Sequence, residues 1–279
     1  MRGKRSFVIS ALTFCLKNPK AFLVAFLLGG LSYSYEVFIA RDTMSFQGIP
    51  SAMQNTLQTY TRIFRNNAYM VGYSDLKGNP LWVAYKLTPA KEKAPHLKRP
   101  DGFHADWRNL GFITSSDYTN SGYDRGHMAP NHAISILYGK EAQYETFLMT
   151  NVTPQKPSLN QKLWQQLEAI ELETFAPKFK ELWVYTGPLF DAKITRLKSS
   201  YFVEIPDAFY KMYVGIEEDG TLRALAFILP QNAKATDRLE KYAVSIDEVE
   251  RRSGFDFLHE LEDEIEEALE KKVDVKAWL

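Results

Sequence analysis

Between residues 182 and 229 one pattern repeats four times, and it leaves few folds open. Apolar runs at 182–186, 201–205, 209–215 and 224–229 are rich in aromatic or β-branched residues and bounded by Gly, Pro or Asp. Runs this short, separated by chain-bending residues, predict strands of one mostly antiparallel sheet. Helix signals fall around them. Pro157-Ser158 precedes LNQKLWQQLEAIELETF (159–175), an amphipathic helix that Pro177 stops. Ser245-Ile246-Asp247-Glu248 is a capping box opening a short helix that ends at Gly254. At 260–270, Leu261, Ile265 and Leu269 line one side of an acidic terminal helix whose charges read as a solvated face. Residues 80–87 read as a strand after a turn at Lys77-Gly78-Asn79, 41–66 as a short helix and connector, 88–122 as loop-rich and 137–149 as a helix. With no repeat and no long linker, the expected class is α+β: a mixed, mostly antiparallel sheet with flanking helices, one domain over 41–279.

Hydrophobic residues make up 45% of the 279, enough for a substantial core. The only cysteine is Cys15, which excludes a disulfide framework within one chain. Formal charges cancel, 34 against 34, but unevenly. Residues 1–35 hold Arg2, Lys4, Arg5, Lys17, Lys20 and no acid; residues 247–279 hold 12 acids and 5 bases; the middle carries +2. Net charge therefore supplies no general attraction to polyanions, and any such binding needs a local basic patch.

Residues 21–35 are uncharged, flanked by Lys20 and Glu36. A basic flank before a short apolar stretch is the pattern of a signal peptide or a signal anchor. Ser32-Tyr33-Ser34 offers a cleavage site, while a second apolar run at 6–16 speaks for an uncleaved anchor. Residues 1–40 are thus expected to export the chain: periplasmic, anchored in an inner membrane, or secreted. An acid-free basic leader also suits the mitochondrial intermembrane space.

Chemistry concentrates in two boxes. Ser121-Gly122-Tyr123-Asp124-Arg125-Gly126-His127-Met128-Ala129-Pro130-Asn131-His132 sets an acid, a base and an imidazole side by side in a loop-like setting. Thr150-Asn151-Val152-Thr153-Pro154-Gln155 then leads to Asn160, Trp164 and Glu168, spaced i, i+4, i+8 on one helix face. An amide and a carboxylate on a helix, opposite an imidazole, can serve a hard cation and a hydrolytic water. Asn160 also has the plain reading of a helix N-cap. His132 has no second ligand at zinc spacing. No Gly-x-Ser-x-Gly elbow and no phosphate-binding Gly-x-x-x-x-Gly-Lys loop occurs.

In Asp124-Arg125-Gly126-His127 and the second box, residues 151–168, the sequence resembles the DNA/RNA non-specific endonucleases, the group that includes endonuclease G. Pro80-Leu81-Trp82-Val83, Tyr185-Thr186-Gly187-Pro188, Ile205-Pro206 with Phe209-Tyr210-Lys211, and Phe227-Ile228-Leu229-Pro230 extend the resemblance over roughly residues 68–258. It implies a ββα-metal (His-Me finger) active site and metal-assisted hydrolysis of phosphodiesters in DNA and RNA to 5′-phosphate products. By the same resemblance His127 is the general base, Asn160 the direct ligand of Mg²⁺ (or Mn²⁺), and Glu168 the group that orients water at the metal. Arg125 then pairs with phosphate, Asn151 supports the site and Asp124 fixes the motif. Lys211, with Lys86, Lys98, Arg99 and Arg108, is expected to grip substrate phosphates. Homodimers occur in the family. The competing reading is a catalytically silent nucleic-acid-binding protein of the cell envelope.

Overall fold

A computed structural model describes residues 13–14, 17–90, 97–191 and 193–279. Cys15, and the run 6–16 apart from Thr13 and Phe14, lie outside the described residues. The chain divides into two compact units, Met1–Thr43 and Met44–Leu279. In the first, helix α1 (Pro19–Tyr35) starts on a proline, at the turn where a missing N–H costs nothing, and buries none of its residues. The stretch Pro19–Met44, 26 residues, is long and apolar enough to cross a membrane.

The second unit opens with short strand β1 (Ser51–Ala52). Strands β2 (Arg62–Arg65), β3 (Tyr69–Ser74) and β4 (Asn79–Leu87) come next as an antiparallel meander. Strands β5 (Asp124–His127) and β6 (Val152–Gln155) form a separate antiparallel ribbon, with helix α2 (Asn131–Thr146) between them. After β6 the chain enters helix α3 (159–175), its middle α-helical and its two ends wound wider. Strands β7 (Glu181–Leu189), β8 (Ala208–Ile216), β9 (Leu222–Pro230) and β10 (Ala243–Val244) complete a seven-stranded sheet in the order β10-β9-β8-β7-β4-β3-β2. Helix α4 (Ile246–Ser253), strand β11 (Phe255–Asp256), which pairs with β1, and helix α5 (Asp263–Glu270) close the chain.

The sheet is covered on both faces, and successive residues of β8 divide between them as the two-residue period of a strand requires. Phe209 and Tyr213 join Leu163, Trp164, Leu167 and Phe175 of α3 in one core; Tyr210, Met212 and Val214 join Ile246, Val249 and Phe257 in the other. This double burial is why the strands read as continuous apolar runs and not as alternating ones. The α+β architecture read from the sequence is the one observed.

Several local expectations fail. Residues 201–205 form no strand: Tyr201 is 93% exposed, and Glu204 is held by its amide to the Lys77 carbonyl at 2.9 Å. Aromatic composition suggested a strand, but the pairing stops at one isolated antiparallel bridge, Arg196↔Glu204. Residues 41–66 hold a turn at Asp42–Met44 and strands β1 and β2 in place of a helix. Here Thr59 Oγ1 donates to the Gln54 carbonyl at 2.6 Å and Thr56 Oγ1 accepts from the Gln58 amide at 3.2 Å, local bonds that compete with helix formation. The helix expected at 137–149 begins earlier, directly after Pro130, and Gly139 interrupts it at φ +85°. The acidic helix near the C-terminus is not wholly a solvated face, because Glu270 is buried.

Candidate active site

The Asp-Arg-Gly-His box is a strand and not the loop its composition suggested. Its register in the ribbon is Asp124↔Gln155, Arg125↔Pro154, Gly126↔Thr153 and His127↔Val152. Gly126 and Pro154 both weaken the strand signal, yet each is accommodated. A Cβ on Gly126 would stand 2.0 Å from Gln155 Oε1, so only glycine fits beneath that side chain. Pro154 lacks an N–H, which a two-stranded ribbon tolerates.

Asn151 fixes the segment just after β5. Its Oδ1 accepts from the Ala129 amide at 2.9 Å, while Nδ2 donates to the carbonyls of Ala129 at 3.0 Å and Thr146 at 2.9 Å. The backbone carbonyl of Asn151 accepts from the Met128 amide at 3.0 Å. Both amide protons are used and the residue is fully buried. Asn151 is thereby bonded to the segment that directly follows His127, and its side chain has no free amide proton.

Helix α3 is tied to the ribbon at Asp124. Asn160 Nδ2 donates to Asp124 Oδ2 at 2.9 Å, and Gln161 Nε2 donates to the same oxygen at 2.8 Å. A carboxylate oxygen only accepts, which sets the amide's orientation and leaves Asn160 Oδ1 without a protein partner among the described residues. Asn160 is not an N-cap: its own amide bonds to the Lys156 carbonyl at 2.9 Å, inside the first turn. Two turns on, Glu168 Oε1 accepts from Trp164 Nε1 at 3.1 Å. Burial pushes the Glu168 carboxyl up to about 7, with Glu171 adding to the rise; Lys211, the Trp164 hydrogen bond and Arg99 oppose it.

His127 packs against a pair of rings, Phe103 and Phe147, whose own centroids are 5.1 Å apart. Phe103 is 5.0 Å from its centroid, and Phe147 meets it edge-on at 4.9 Å. Its Nε2 is buried without a hydrogen-bond partner. Burial first, and then the positive charge of Arg99, pull the imidazole down to about 3, so it is neutral around pH 7. Arg125 donates from Nη2 to the Ser115 carbonyl at 2.5 Å and lies 5.9 Å from the Phe103 ring, and its Nε has no partner.

The expected phosphate grips divide. Arg99 lies 5.1 Å from the Phe147 ring and acts electrostatically on both His127 and Glu168, so it belongs to the site. Lys211 does not present its charge to a substrate, contrary to expectation. Its side chain is wholly buried and paired with Glu171 at 2.9 Å, because it points from β8 into the core under α3. Arg108 is engaged as well, pairing with Asp106 at 2.7 Å and donating to Asn66 at 2.8 Å. Lys86 pairs with Glu181 at 3.5 Å, and Lys98 is exposed beside Asp101 at 3.4 Å. His132 is exposed on α2.

Sequence reasoning missed Phe103, Phe147 and Glu171. The two rings lie in segments without a motif and carried no signal. Glu171 did carry one: it is an acid among Leu167, Leu172 and Phe175, on the apolar side of its helix.

Comparison with known proteins bears on the family and the fold. A sequence model of the family described as DNA/RNA non-specific endonuclease matches residues 50–264. A nuclease of Nostoc sp. is 31% identical over 221 residues, covering 75% of this chain and 77% of its own. The mitochondrial endonuclease G of Homo sapiens is 29% identical over 204 residues, covering 68% and 67%. A crystal structure of EndoG in complex with EndoGI superposes with a TM-score of 0.64 at 25% identity, over 79% of this chain and 90% of the other.

Proposed function

The chain belongs to the DNA/RNA non-specific endonuclease family and is a hydrolase of the nuclease class, and from that premise we infer that it cleaves phosphodiesters in both DNA and RNA, leaving 5′-phosphates, with His127 as general base. The observation that carries this reading is the hydrogen bond from Asn160 to Asp124, which joins the helix bearing Asn160 and Glu168 to the strand bearing His127.

The donor set fits a hard divalent cation. Asn160 offers an amide oxygen without a protein partner, fixed by the bond its nitrogen makes to Asp124. One such oxygen, with a carboxylate two turns away, suits Mg²⁺, which keeps most of its waters; Mn²⁺ accepts the same donors. When bound, the cation would neutralise charge on the phosphate and favour departure of the 3′-oxygen. Glu168 would orient water there from the second layer.

His127, neutral in the working range, takes the proton of the attacking water. A pKa near 3 makes the free imidazole a weak base. The anionic phosphodiester of a bound substrate raises it, toward the value that proton transfer at neutral pH requires. Arg125 and Arg99 supply positive charge to the phosphate, whose charge builds in the transition state. None of these groups needs to reach a base edge, consistent with cleavage that ignores sequence.

We extend the reading to the N-terminus: residues 1–40 as an export signal or membrane anchor, 41–279 as the catalytic domain. The exposed, apolar α1 and the acid-free basic flank support it. A homodimer is implied by the resemblance and is read out by light scattering.

The test is a cleavage assay on supercoiled plasmid, single-stranded DNA and RNA, with Mg²⁺ or EDTA, beside His127→Ala. Cleavage of all three is expected, abolished by EDTA and reduced by ~10²–10⁴-fold in the variant. A folded protein that binds nucleic acid on a gel but never cuts it would establish the silent binding protein instead.

A further inference from the structure

Asp247, Glu250 and Glu270 bring three carboxylates together far from the Asp-Arg-Gly-His strand in the architecture. Each offers one oxygen, and no two of these oxygens are more than 4.8 Å apart. Asp247 and Glu250 stand one turn apart on α4, and Glu270 is the last residue of α5. Helix α4 packs through Ile246 and Val249 on the sheet face opposite the one that α3 covers. The cluster is therefore separate from the site built on Asn160 and Glu168.

Two features distinguish it from an ordinary acidic surface. Glu270 is only 6% exposed, and its Oε1 is buried with no hydrogen-bond partner. In addition, no Lys, Arg or His forms an ion pair with any of the three among the described residues. Arg251 turns to Glu248 at 2.7 Å and Lys271 turns to Glu267. Glu250 Oε1 accepts one backbone amide, from Phe257 at 2.7 Å. Asp256 and Glu266 add further negative charge nearby, and burial with this repulsion holds both Glu250 and Glu270 above the usual carboxylate range. A cation seated among the three oxygens would give the buried Glu270 Oε1 the partner it lacks.

The geometry points to a second cation site, formed by Asp247, Glu250 and Glu270, that takes Ca²⁺ and ties α5 to α4. All donors are oxygens, which selects a hard cation. Three carboxylates from two helices make a largely protein-built shell, which suits Ca²⁺ with its flexible geometry, whereas Mg²⁺ is usually held by one or two carboxylates and keeps most of its waters. Asp247 is exposed, so water can complete the coordination. Helix α5, with 8 residues, is too short to persist without tertiary ties.

The test uses the full chain in detergent with Mg²⁺ saturating, titrated with CaCl₂ by calorimetry while Tm is tracked. Expected are a single Ca²⁺ per chain with Kd of ~10⁻⁴–10⁻³ M and a rise in Tm. Glu270→Gln and Asp247→Asn should each weaken binding by ~10-fold or more, and Asn160→Ala should bind as the parent does. Asp247 is exposed, so its variant tests the site even if Glu270→Gln fails to fold. The inference is overturned if the parent shows neither heat nor a Tm rise up to ~10 mM Ca²⁺. It is equally overturned if Asp247→Asn keeps full affinity, or if Asn160→Ala abolishes the binding.

Discussion

Lys211 and Glu171 form an ion pair at 2.9 Å in which neither side chain has exposed surface. Two phenols complete it: Tyr85 donates to Glu171 Oε1 at 3.0 Å and Tyr213 to Oε2 at 3.1 Å, while Lys211 donates to the Tyr85 oxygen at 3.2 Å. Lys211 also lies 4.9 Å from the ring of Trp164, the residue that donates to Glu168. Glu168 thus feels a buried cation that draws its carboxyl down and a buried anion that pushes it up. The lysine acts on the site from the interior, through charge, without contact with solvent.

Lys211→Met leaves Glu171 buried and unpaired. It should cost ~3–5 kcal/mol, and pairing it with Glu171→Leu should recover much of that loss, since removing both charges removes the desolvation problem. Urea unfolding of the three proteins decides it. A single variant no less stable than the double would show that the pair is not held as described.

Asp124→Ala removes the acceptor that orients Asn160 and Gln161. The Asn160 amide can then turn, so its oxygen is no longer fixed toward a cation. Loss of such an outer support is expected to reduce activity by ~10–100-fold and to raise the Mg²⁺ concentration needed for half-maximal rate. A rate-against-Mg²⁺ curve that overlays the parent's would remove Asp124 from this role.

Gly126→Ala places a methyl where Gln155 Oε1 stands 2.0 Å away. Overpacking should destabilise by ~1–3 kcal/mol and loosen the strand that carries His127. Shortening the neighbour, in Gly126→Ala with Gln155→Ala, should restore most of the stability in thermal unfolding. Equal instability of the two variants would point to the backbone and not to this contact.

The range of each signal decides which parts of the molecule were legible in the sequence. The capping box at Ser245 was readable because its bond is local: Ser245 Oγ accepts from the Glu248 amide at 3.2 Å, and Gly254 ends the helix at φ +76°. Strands β7, β8 and β9 were readable because burial on both faces concentrates apolar residues in them. The ribbon was not, since Gly126 and Pro154 hide a strand whose partner lies 25 or more residues away in the chain. Lys211 was misread for a related reason. A lysine in a strand looks like a surface cation, and only the fold reveals that Glu171, Tyr85 and Tyr213 surround it. Arg99 and Arg125 were read as site cations, but the Phe147 and Phe103 rings beside them come from other segments of the chain.

The lowered pKa of His127 fixes the sign of a pH effect on stability. In the fold the imidazole is held down to about 3, from an ordinary value of 6.5. The unfolded chain therefore binds this proton more readily than the native one between those values. The contribution is fully present above pH 6.5 and is lost as pH falls toward 3, by ~1.4 kcal/mol per pH unit at most. Glu168, raised to about 7, has the opposite dependence, contributing below its ordinary carboxylate value and losing the contribution as pH rises through 7. Comparison with His127→Gln isolates the histidine, because Glu168 is common to both proteins. In EDTA, which removes metal as a variable, the parent should lose ~2–3 kcal/mol more than His127→Gln between pH 7 and pH 4 in urea unfolding. Parallel stability curves over that range would mean that the imidazole is not shielded beside Phe103 and Phe147 as described, and the assignment of a neutral base would lose its physical support.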